Sequence, residues 1–297
     1  MPRNLLQCSA ATLLAAVFFP AFAGDWHDDQ TLVCSDCHTM HNSASGLPMR
    51  YDGVAAPAER LLRAADPTVL CLACHDGSDP DAPDVIAPVG YLGDPAGGWF
   101  MENPLGQNNP NGHDLLPVGL QPAPGSADSF SLSCVSCHSP HGNGSYRNLL
   151  VDPGGSGNTG PVTPLVSQMV TADGSNPDLV YDPANLRYKS GISAWCNDCH
   201  GDFHGRVAGE EGTGRPWLRH PQSEPLFGSP GADYGFWSGP VAGRVPVETP
   251  TDDTVPSVDD SVFCLSCHKA HGSAHPDGLI FADGATRLST CQQCHNQ

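Results

Sequence analysis

Six copies of a Cys-x-x-Cys-His pattern are spread along this 297-residue chain. Numbered in chain order, these motifs are Cys34–His38, Cys71–His75, Cys134–His138, Cys196–His200, Cys264–His268 and Cys291–His295. The spacing is that of c-type haem attachment, in which both thiols bond to the porphyrin and the histidine binds the iron. Six covalently bound haem c groups, each with one iron, are therefore predicted. The cysteines that would carry them are Cys34, Cys37, Cys71, Cys74, Cys134, Cys137, Cys196, Cys199, Cys264, Cys267, Cys291 and Cys294.

The motifs use every cysteine of the chain except Cys8, which lies in an apparent targeting segment. Zinc ribbons and redox dithiols also contain Cys-x-x-Cys pairs. Zinc sites, however, do not need a histidine directly after every second cysteine, and a thioredoxin-like site needs a βαβ context that this sequence does not show. Haem attachment therefore explains the cysteines better than zinc or redox chemistry does.

The histidine that ends each motif is expected to bind the near face of its iron. These proximal ligands are His38, His75, His138, His200, His268 and His295. Three further histidines, His41, His141 and His271, each follow a motif histidine by three residues. Such a residue is too close in sequence to reach the far face of the same haem, so as a ligand it would bind a neighbouring haem. This spacing predicts haems in close contact.

The remaining far-face ligands are expected among histidines outside this pattern. His204 follows the fourth motif by four residues, His27 precedes the first by seven, and His113 and His220 lie in stretches without motifs. The predicted distal ligands are thus His27, His41, His113, His141, His204, His220 and His271. Seven candidates compete for six irons, and the sequence leaves open which of His27 and His204 serves.

Two other side chains are set aside as ligands. His275 is expected to be an exposed surface residue, and the local spacing favours His41 over the adjacent Met40. Methionine ligation would raise the reduction potential of a haem. Bis-histidine ligation throughout predicts low-potential, six-coordinate haems.

The composition predicts a fold with few regular elements. Leu, Val, Phe and Ile make up 26, 20, 10 and 3 residues, about a fifth of the chain, and the formal charge is −19. These values lie near those of disordered chains. With 33 Gly and 29 Pro, long helices and strands are disfavoured. We predict mostly irregular coil with a few short α and 3-10 helices and minimal β structure, wrapped around a linear haem chain.

The chain is organised as a leader and one domain. Residues 1–23 have the basic start, apolar stretch and small-residue end of a secretory signal, and 24–297 would form a single hexahaem domain. Short helices are expected at Ala58–Ala65 and around each motif, and an extended segment at Ser167–Ala172. No later stretch is long enough to cross a membrane. The acidic balance excludes nucleic acid, which binds basic surfaces.

Six-coordinate iron has no open position for a substrate, which disfavours an enzyme. The expected function is electron conduction along a closely packed haem row. A monomeric periplasmic or surface electron carrier is a second hypothesis. A multihaem reductase of oxyanions is a third, and it would need a haem with a vacant or unusual axial position.

The motifs in this order resemble the hexahaem outer-surface c-type cytochromes of metal-reducing bacteria, a family that forms extracellular nanowires. The resemblance covers the whole mature chain. The matching stretches are Cys34–Ser43, Cys71–His75, Gly112–His113, Cys134–Gly142, Trp195–His204, Leu218–Pro221, Cys264–His271 and Cys291–His295.

The resemblance implies a homopolymer. The counterpart of His41 in that family crosses the subunit interface and binds the fifth haem of the next protomer, held here by Cys264, Cys267 and His268. It also implies a secreted protein at the cell surface that takes electrons from upstream cytochromes and delivers them to extracellular acceptors.

Overall fold

The computed structural model describes residues 27, 32–86, 97–100, 110–115, 121–122, 129–142, 146–153, 169–171, 186–188, 192–201, 248 and 261–280. The first five motifs lie within these ranges. The signal segment, the sixth motif with Cys291, Cys294 and His295, and the candidate ligands His204 and His220 lie outside them.

The described residues form only short regular elements. Five helices occur there: α1 Cys34–Cys37, α2 Pro67–His75, α3 Cys134–Cys137, α4 Ile192–Asn197 and α5 Cys264–Cys267. The strands are β1 Ser43–Ala44, β2 Leu47–Pro48, β3 Gln121–Pro122, β4 Ser129–Phe130, β5 Met169–Thr171 and β6 Leu186–Tyr188, and they pair antiparallel as β1–β2, β3–β4 and β5–β6. The predicted coil-rich fold with short helices and minimal sheet is confirmed.

A short helix is present at each described motif, as expected, but the helix predicted at Ala58–Ala65 is wrong. That stretch holds only a 3-10 turn, Glu59–Leu61. The helix begins instead at Pro67, because the Asp66 carboxylate accepts the N–H groups of Thr68 and Val69 at 2.8 and 3.1 Å. A proline at the first helical position also disfavours helical geometry in the residue before it. The segment expected to be extended, Ser167–Ala172, contains β5.

Three of the motifs share one local structure, here called the first, third and fifth modules (residues 34–63, 134–150 and 264–280). In each, a one-turn helix ends at the motif histidine, and the residue after the second histidine has a positive φ: 46° at Asn42, 76° at Gly142 and 142° at Gly272. The chain then turns back. Residues Leu62, Leu149 and Leu279 form β-bridges with His38, His138 and His268.

In each module, the segment that returns to the motif begins with two consecutive residues in the left-handed conformation. They are Arg60–Leu61, Arg147–Asn148 and Asp277–Gly278, with φ between 48° and 65°. Two such residues in a row are the mark of a type I′ turn, in which asparagine and glycine are favoured. Leucine in this conformation costs roughly 1–2 kcal/mol. The first module therefore carries backbone strain at Leu61 that the other two avoid.

Replacing Leu61 with asparagine, the residue of the third module, is expected to stabilise the holoprotein by about 1 kcal/mol through relief of this strain. The guanidinium unfolding midpoint would measure the gain. Leu47→Asn is the matched control, because Leu47 is also exposed but has extended backbone in β2. An equal change in both variants would show that lost apolar exposure, not strain, is responsible.

The described part of the chain buries few apolar side chains. Those with little exposed surface are Ala64, Leu72, Phe100, Leu115, Ile192 and Phe263. Helix α4 links two modules: the indole N–H of Trp195 donates to the Leu150 carbonyl at 2.7 Å, and the hydroxyl of Ser193 accepts the N–H of Cys264 at 3.1 Å. Within the described residues, side chains alone thus make a small core.

None of the helices in the described residues has the length and apolar character needed to span a bilayer.

Candidate haem-binding sites

Histidine rings from distant parts of the described chain come together in four pairs. Their ring centres are 6.2, 6.1, 6.2 and 6.0 Å apart in the pairs His38–His141, His75–His27, His138–His271 and His200–His113. Two imidazoles bound on opposite sides of one metal ion by bonds of about 2.0–2.1 Å have their ring centres roughly 6 Å apart. The spacing of each pair therefore fits one metal ion between the rings, as in bis-histidine haem.

Each pair combines a motif histidine with one of the candidate distal histidines. His141 and His271, which lie three residues after their own motif histidines, each approach the histidine of a different motif. His27 also enters a pair. Among the described residues, no second histidine ring is paired in this way with His41 or with His268, and His41 is exposed.

The motif histidines are oriented by backbone carbonyls. The Nδ1 atoms of His38, His138 and His268 lie 3.1, 2.9 and 2.8 Å from the carbonyl oxygens of Arg60, Arg147 and Asp277. A carbonyl only accepts, so Nδ1 carries the proton and Nε2 is left free for a metal. In the second motif, Nδ1 of His75 lies 2.9 Å from the carbonyl oxygen of Pro83, in the same arrangement.

These carbonyl acceptors were missed from the sequence, although a signal was present. All three module acceptors are the first residue of the type I′ turn, and the dipeptide Asp277-Gly278 is a strong sequence signal for that turn. A second hydrogen bond in each module holds the turn next to the motif. The residue after the motif histidine (Thr39, Ser139 or Lys269) donates its backbone N–H to the carbonyl of the second turn residue at 2.7 Å. The positive φ of the turn is thus tied to the orientation of the motif histidine.

Two of the candidate distal histidines are held by another carbonyl. His27 Nδ1 lies 3.4 Å from the Pro140 oxygen, and His113 Nδ1 lies 2.6 Å from the Ala270 oxygen. Pro140 and Ala270 occupy the same place in their modules, two residues after the motif histidine. A backbone carbonyl in each of these two modules therefore accepts a hydrogen bond from a histidine that lies outside the module.

Segments 97–100 and 110–115 position His113 against the fifth module. The N–H of His271 donates to the Gly97 carbonyl at 2.7 Å, and the N–H of His113 donates to the His271 carbonyl at 3.2 Å. A Cβ at Gly112 would collide with the backbone of His271 and Gly272, so only glycine allows this close approach. The Gly-His sequence at 112–113 is thereby explained by packing.

Three of the paired histidines, His27, His138 and His271, are held neutral by burial. Burial lowers the pKa of His27 and of His138, and burial together with the neighbouring His138 lowers the pKa of His271 to about 3. Metal binding requires the neutral imidazole. These rings are therefore in the protonation state in which Nε2 can bind a metal without first losing a proton.

The five described motifs follow one another in space in their sequence order. A hydrogen bond between the thiols of Cys71 and Cys134 is the main cause that raises the pKa of Cys71, and the same relation holds between Cys196 and Cys264. Burial and the neighbouring Asp79 are the main causes that raise the pKa of Cys74, and Cys37 of the first motif adds to them. Burial raises the pKa of Cys137 to about 12, and Cys199 of the fourth motif adds to it. Haem groups on these cysteines would form a continuous row.

All ten described motif cysteines are free thiols. Within the same residues, no three histidine, cysteine or carboxylate side chains gather closely enough to hold a metal ion by themselves.

His275 differs from its expected place on the surface. It is half-buried. The hydroxyl of Ser273 accepts the backbone N–H of His275 at 3.0 Å and donates to its backbone carbonyl at 3.2 Å. It enters none of the ring pairs of the described residues.

Comparison with known proteins agrees with this geometry. Residues 256–297 match the family model of the doubled CXXCH motif. The chain is 27% identical to the C-type cytochrome OmcS of Geobacter sulfurreducens, over 92% of this chain and 83% of that protein. By sequence, the chain is OmcS-like. The resemblance that the motifs predicted is therefore confirmed, and it is that of a multihaem cytochrome c.

The fold agrees as well. The outer membrane cytochrome S filament of Geobacter sulfurreducens matches with a TM-score of 0.57 at 21% identity, over 85% of this chain and 84% of the other. The OmcS nanowires of the same organism, determined by cryo-electron microscopy, match with a TM-score of 0.55 at 20% identity, over 89% and 90%. The chain thus has the fold of the OmcS protomer.

Proposed function

We propose that this protein conducts electrons through six closely packed bis-histidine c-type haems and polymerises into an extracellular filament that exports electrons. The observation that carries the proposal is the set of four imidazole pairs with ring centres 6.0–6.2 Å apart. Each joins a motif histidine to a histidine from another part of the chain. Bound haem supplies one-electron exchange at iron.

The chain's own residues set the geometry of this exchange. The motif cysteines would hold the porphyrins, and the imidazoles that would bind the first four irons are the pairs His38–His141, His75–His27, His138–His271 and His200–His113. Backbone carbonyls fix the tautomer of the motif histidines His38, His75 and His138 and of the distal histidines His27 and His113. Because each pair supplies two protein imidazoles, these irons would have no open position for a substrate, which favours an electron carrier over an enzyme.

The row of motifs provides the path. Cysteines of neighbouring motifs lie close together, and the third and fifth modules each place a histidine at another motif. Each haem edge would therefore lie close to the next. The sixth motif, with His295, continues the row, and its distal ligand is His204 or His220.

The modules also show how the row passes between protomers. The third module gives His141 to the first motif, and the fifth gives His271 to the third, so each donates to the motif two places earlier. For the first module, two places earlier in a six-motif repeat is the fifth motif of another copy. His41 is exposed and His268 lies unpaired among the described histidines, which supports the interface ligation implied by the family resemblance.

Export follows from the same proposal. Residues 1–23 act as a secretory signal, and residues 24–297 form one hexahaem domain. The relatives recorded as a filament and as nanowires support a homopolymer at the cell surface, fed by upstream cytochromes and discharging to external acceptors. Electron microscopy of purified holoprotein tests this directly, because a monomeric carrier would show single particles and no filaments.

The pairing assigned to the first haem gives a separate test. His141→Ala should leave six haems per chain but convert one to a high-spin state that binds carbon monoxide in its ferrous form, because His38 loses its partner across the iron. Electron paramagnetic resonance and carbon monoxide titration would measure this. His275→Ala, which removes an unpaired histidine, should leave every haem low-spin. An unchanged low-spin spectrum in His141→Ala would refute the assignment.

A further inference from the structure

Two of the five described motif helices begin before the motif itself. Helices α2 and α4 each include residues that precede the first cysteine, whereas α1, α3 and α5 start at that cysteine. The longer helices contain a hydroxyl residue three positions before the cysteine, Thr68 before Cys71 and Ser193 before Cys196. Because residues three apart lie on the same face of a helix, each hydroxyl points to the same neighbour as its cysteine.

Both hydroxyl residues are buried where two motifs meet. Thr68 and Ser193 are each 1% exposed. Helix α2 packs against α3 of the third motif, and α4 packs against α5 of the fifth. At each contact, the first cysteines of the two motifs form a hydrogen bond with each other. Each hydroxyl therefore lies between two consecutive haem-attachment sites.

The hydroxyl of Thr68 has no hydrogen-bond partner among the described residues, although it is fully buried. It lies beside the thiol of Cys134. The hydrogen bond from Cys71 is the main cause that lowers the pKa of Cys134, and the nearby Thr68 hydroxyl adds to it. Since buried hydroxyl groups are almost always hydrogen-bonded, we expect this one to gain a partner in the holoprotein.

The hydroxyl of Ser193 occupies the same position relative to the fifth motif. Its oxygen accepts the backbone N–H of Cys264 at 3.1 Å. The hydrogen bond from Cys196 is the main cause that lowers the pKa of Cys264, and Ser193 adds to it. A hydroxyl that accepts a backbone N–H still has its own proton to donate.

Haem attachment changes which groups can donate at these two contacts. When a thiol adds across a vinyl group of haem, its hydrogen is transferred to carbon, and the thioether sulfur that results can accept a hydrogen bond but cannot donate one. The paired cysteines then no longer donate to each other. The hydroxyls of Thr68 and Ser193 keep their protons and are buried beside these sulfur atoms.

We propose that Thr68 and Ser193 are positioning residues that donate hydrogen bonds to the thioether sulfurs of Cys134 and Cys264, and that they thereby raise the reduction potentials of the third and fifth haems. The inference rests on the haem attachment of the proposed function and not on filament formation. Each sulfur is bonded to the porphyrin, so a hydrogen bond to it withdraws electron density from the ring and favours the reduced iron. Hydrogen bonding around a haem is one of the means by which a protein sets its potential.

Removal of the Thr68 hydroxyl tests the proposal on the third haem. Thr68→Val keeps the shape of the side chain and should lower the midpoint potential of one of the six haems in a spectroelectrochemical titration of the holoprotein. Thr68→Ser keeps the hydroxyl and should titrate as wild type does. Ser131→Ala is the matched control and should also titrate as wild type does. Ser131 too lies three residues before the first cysteine of the third motif, but it is exposed and outside the helix.

The same experiment on α4 gives an independent result. Ser193→Ala should lower the potential of a different haem, Ser193→Thr should restore it, and the double variant of Thr68→Val and Ser193→Ala should lower both. Unchanged potentials in both single variants, even with a lower unfolding temperature, would show that the hydroxyls are only structural. That result would overturn the inference and leave the proposed function intact. A wild-type chain that carries no covalent haem would overturn both.

Discussion

His41→Ala is expected to abolish filaments while leaving six haems on every chain. The imidazole of His41 is exposed in the protomer, so its removal costs little in folding. At the interface it would provide the second axial bond of the fifth haem, whose motif histidine has no paired ring among the described residues. Truncation of such a central contact costs 2 kcal/mol or more, which is about a 30-fold or larger rise in the protomer concentration needed for assembly.

Two measurements separate loss of the bond from general damage. The pyridine haemochrome assay should give six haems per chain for both wild type and variant, and negative-stain microscopy should show filaments for wild type only. Added imidazole should fill the open position of the fifth haem in the variant and restore a low-spin spectrum without restoring filaments. His275→Ala is the matched control and should polymerise normally. Filaments of ordinary length from His41→Ala would refute interface ligation.

The chemistry of this chain was visible in its sequence because haem attachment is a local pattern. Two cysteines and a histidine within five residues must lie together in any fold, so the five described motifs needed no tertiary information. The three-residue spacing of His138 to His141 and of His268 to His271 also carried a geometric limit, namely that the second ring must serve another haem. The structure brings both rings to other motifs.

The specific partners were not visible for a physical reason. His27 meets His75 and His113 meets His200 across 48 and 87 residues of mostly irregular chain, where no periodic pattern fixes the path. The sequence therefore left His27 and His204 as equal alternatives, whereas the structure places His27 in a ring pair. The carbonyl acceptors are backbone groups, which a search for ligand side chains does not reveal.

The wrong helix at Ala58–Ala65 has a related cause. Local helix propensity favoured this stretch, but Arg60 and Leu61 are required in left-handed geometry so that the Arg60 carbonyl can reach His38 Nδ1. The hydrogen bond to the motif histidine overrides the local preference, and Leu61 is strained as a result. Only the start signal Asp66-Pro67, next to the true helix, could have corrected the boundary.

The chain without haem is expected to be unfolded, and this is the largest effect on stability that the structure predicts. Few apolar side chains are buried in the described residues, the formal charge is −19, and 62 residues are Gly or Pro (33 and 29). The turns of the first and third modules are organised around His38 and His138, whose partner rings, His141 and His271, come from distant segments. Without a haem between the rings, little compensates the entropy of bringing those segments together.

The chain lacking residues 1–23, expressed where haem is not attached, provides the apoprotein. For residues 24–297, a compact domain has a radius of gyration of roughly 19 Å and an unfolded chain roughly 58 Å. Small-angle scattering should give a value near the larger one, with a coil-like far-ultraviolet circular dichroism spectrum. Holoprotein carrying Cys71→Ser and Cys74→Ser, which keeps the other attachment motifs, should remain compact. An apoprotein as compact as the holoprotein would show that side-chain packing suffices, and that the haems occupy a fold they do not create.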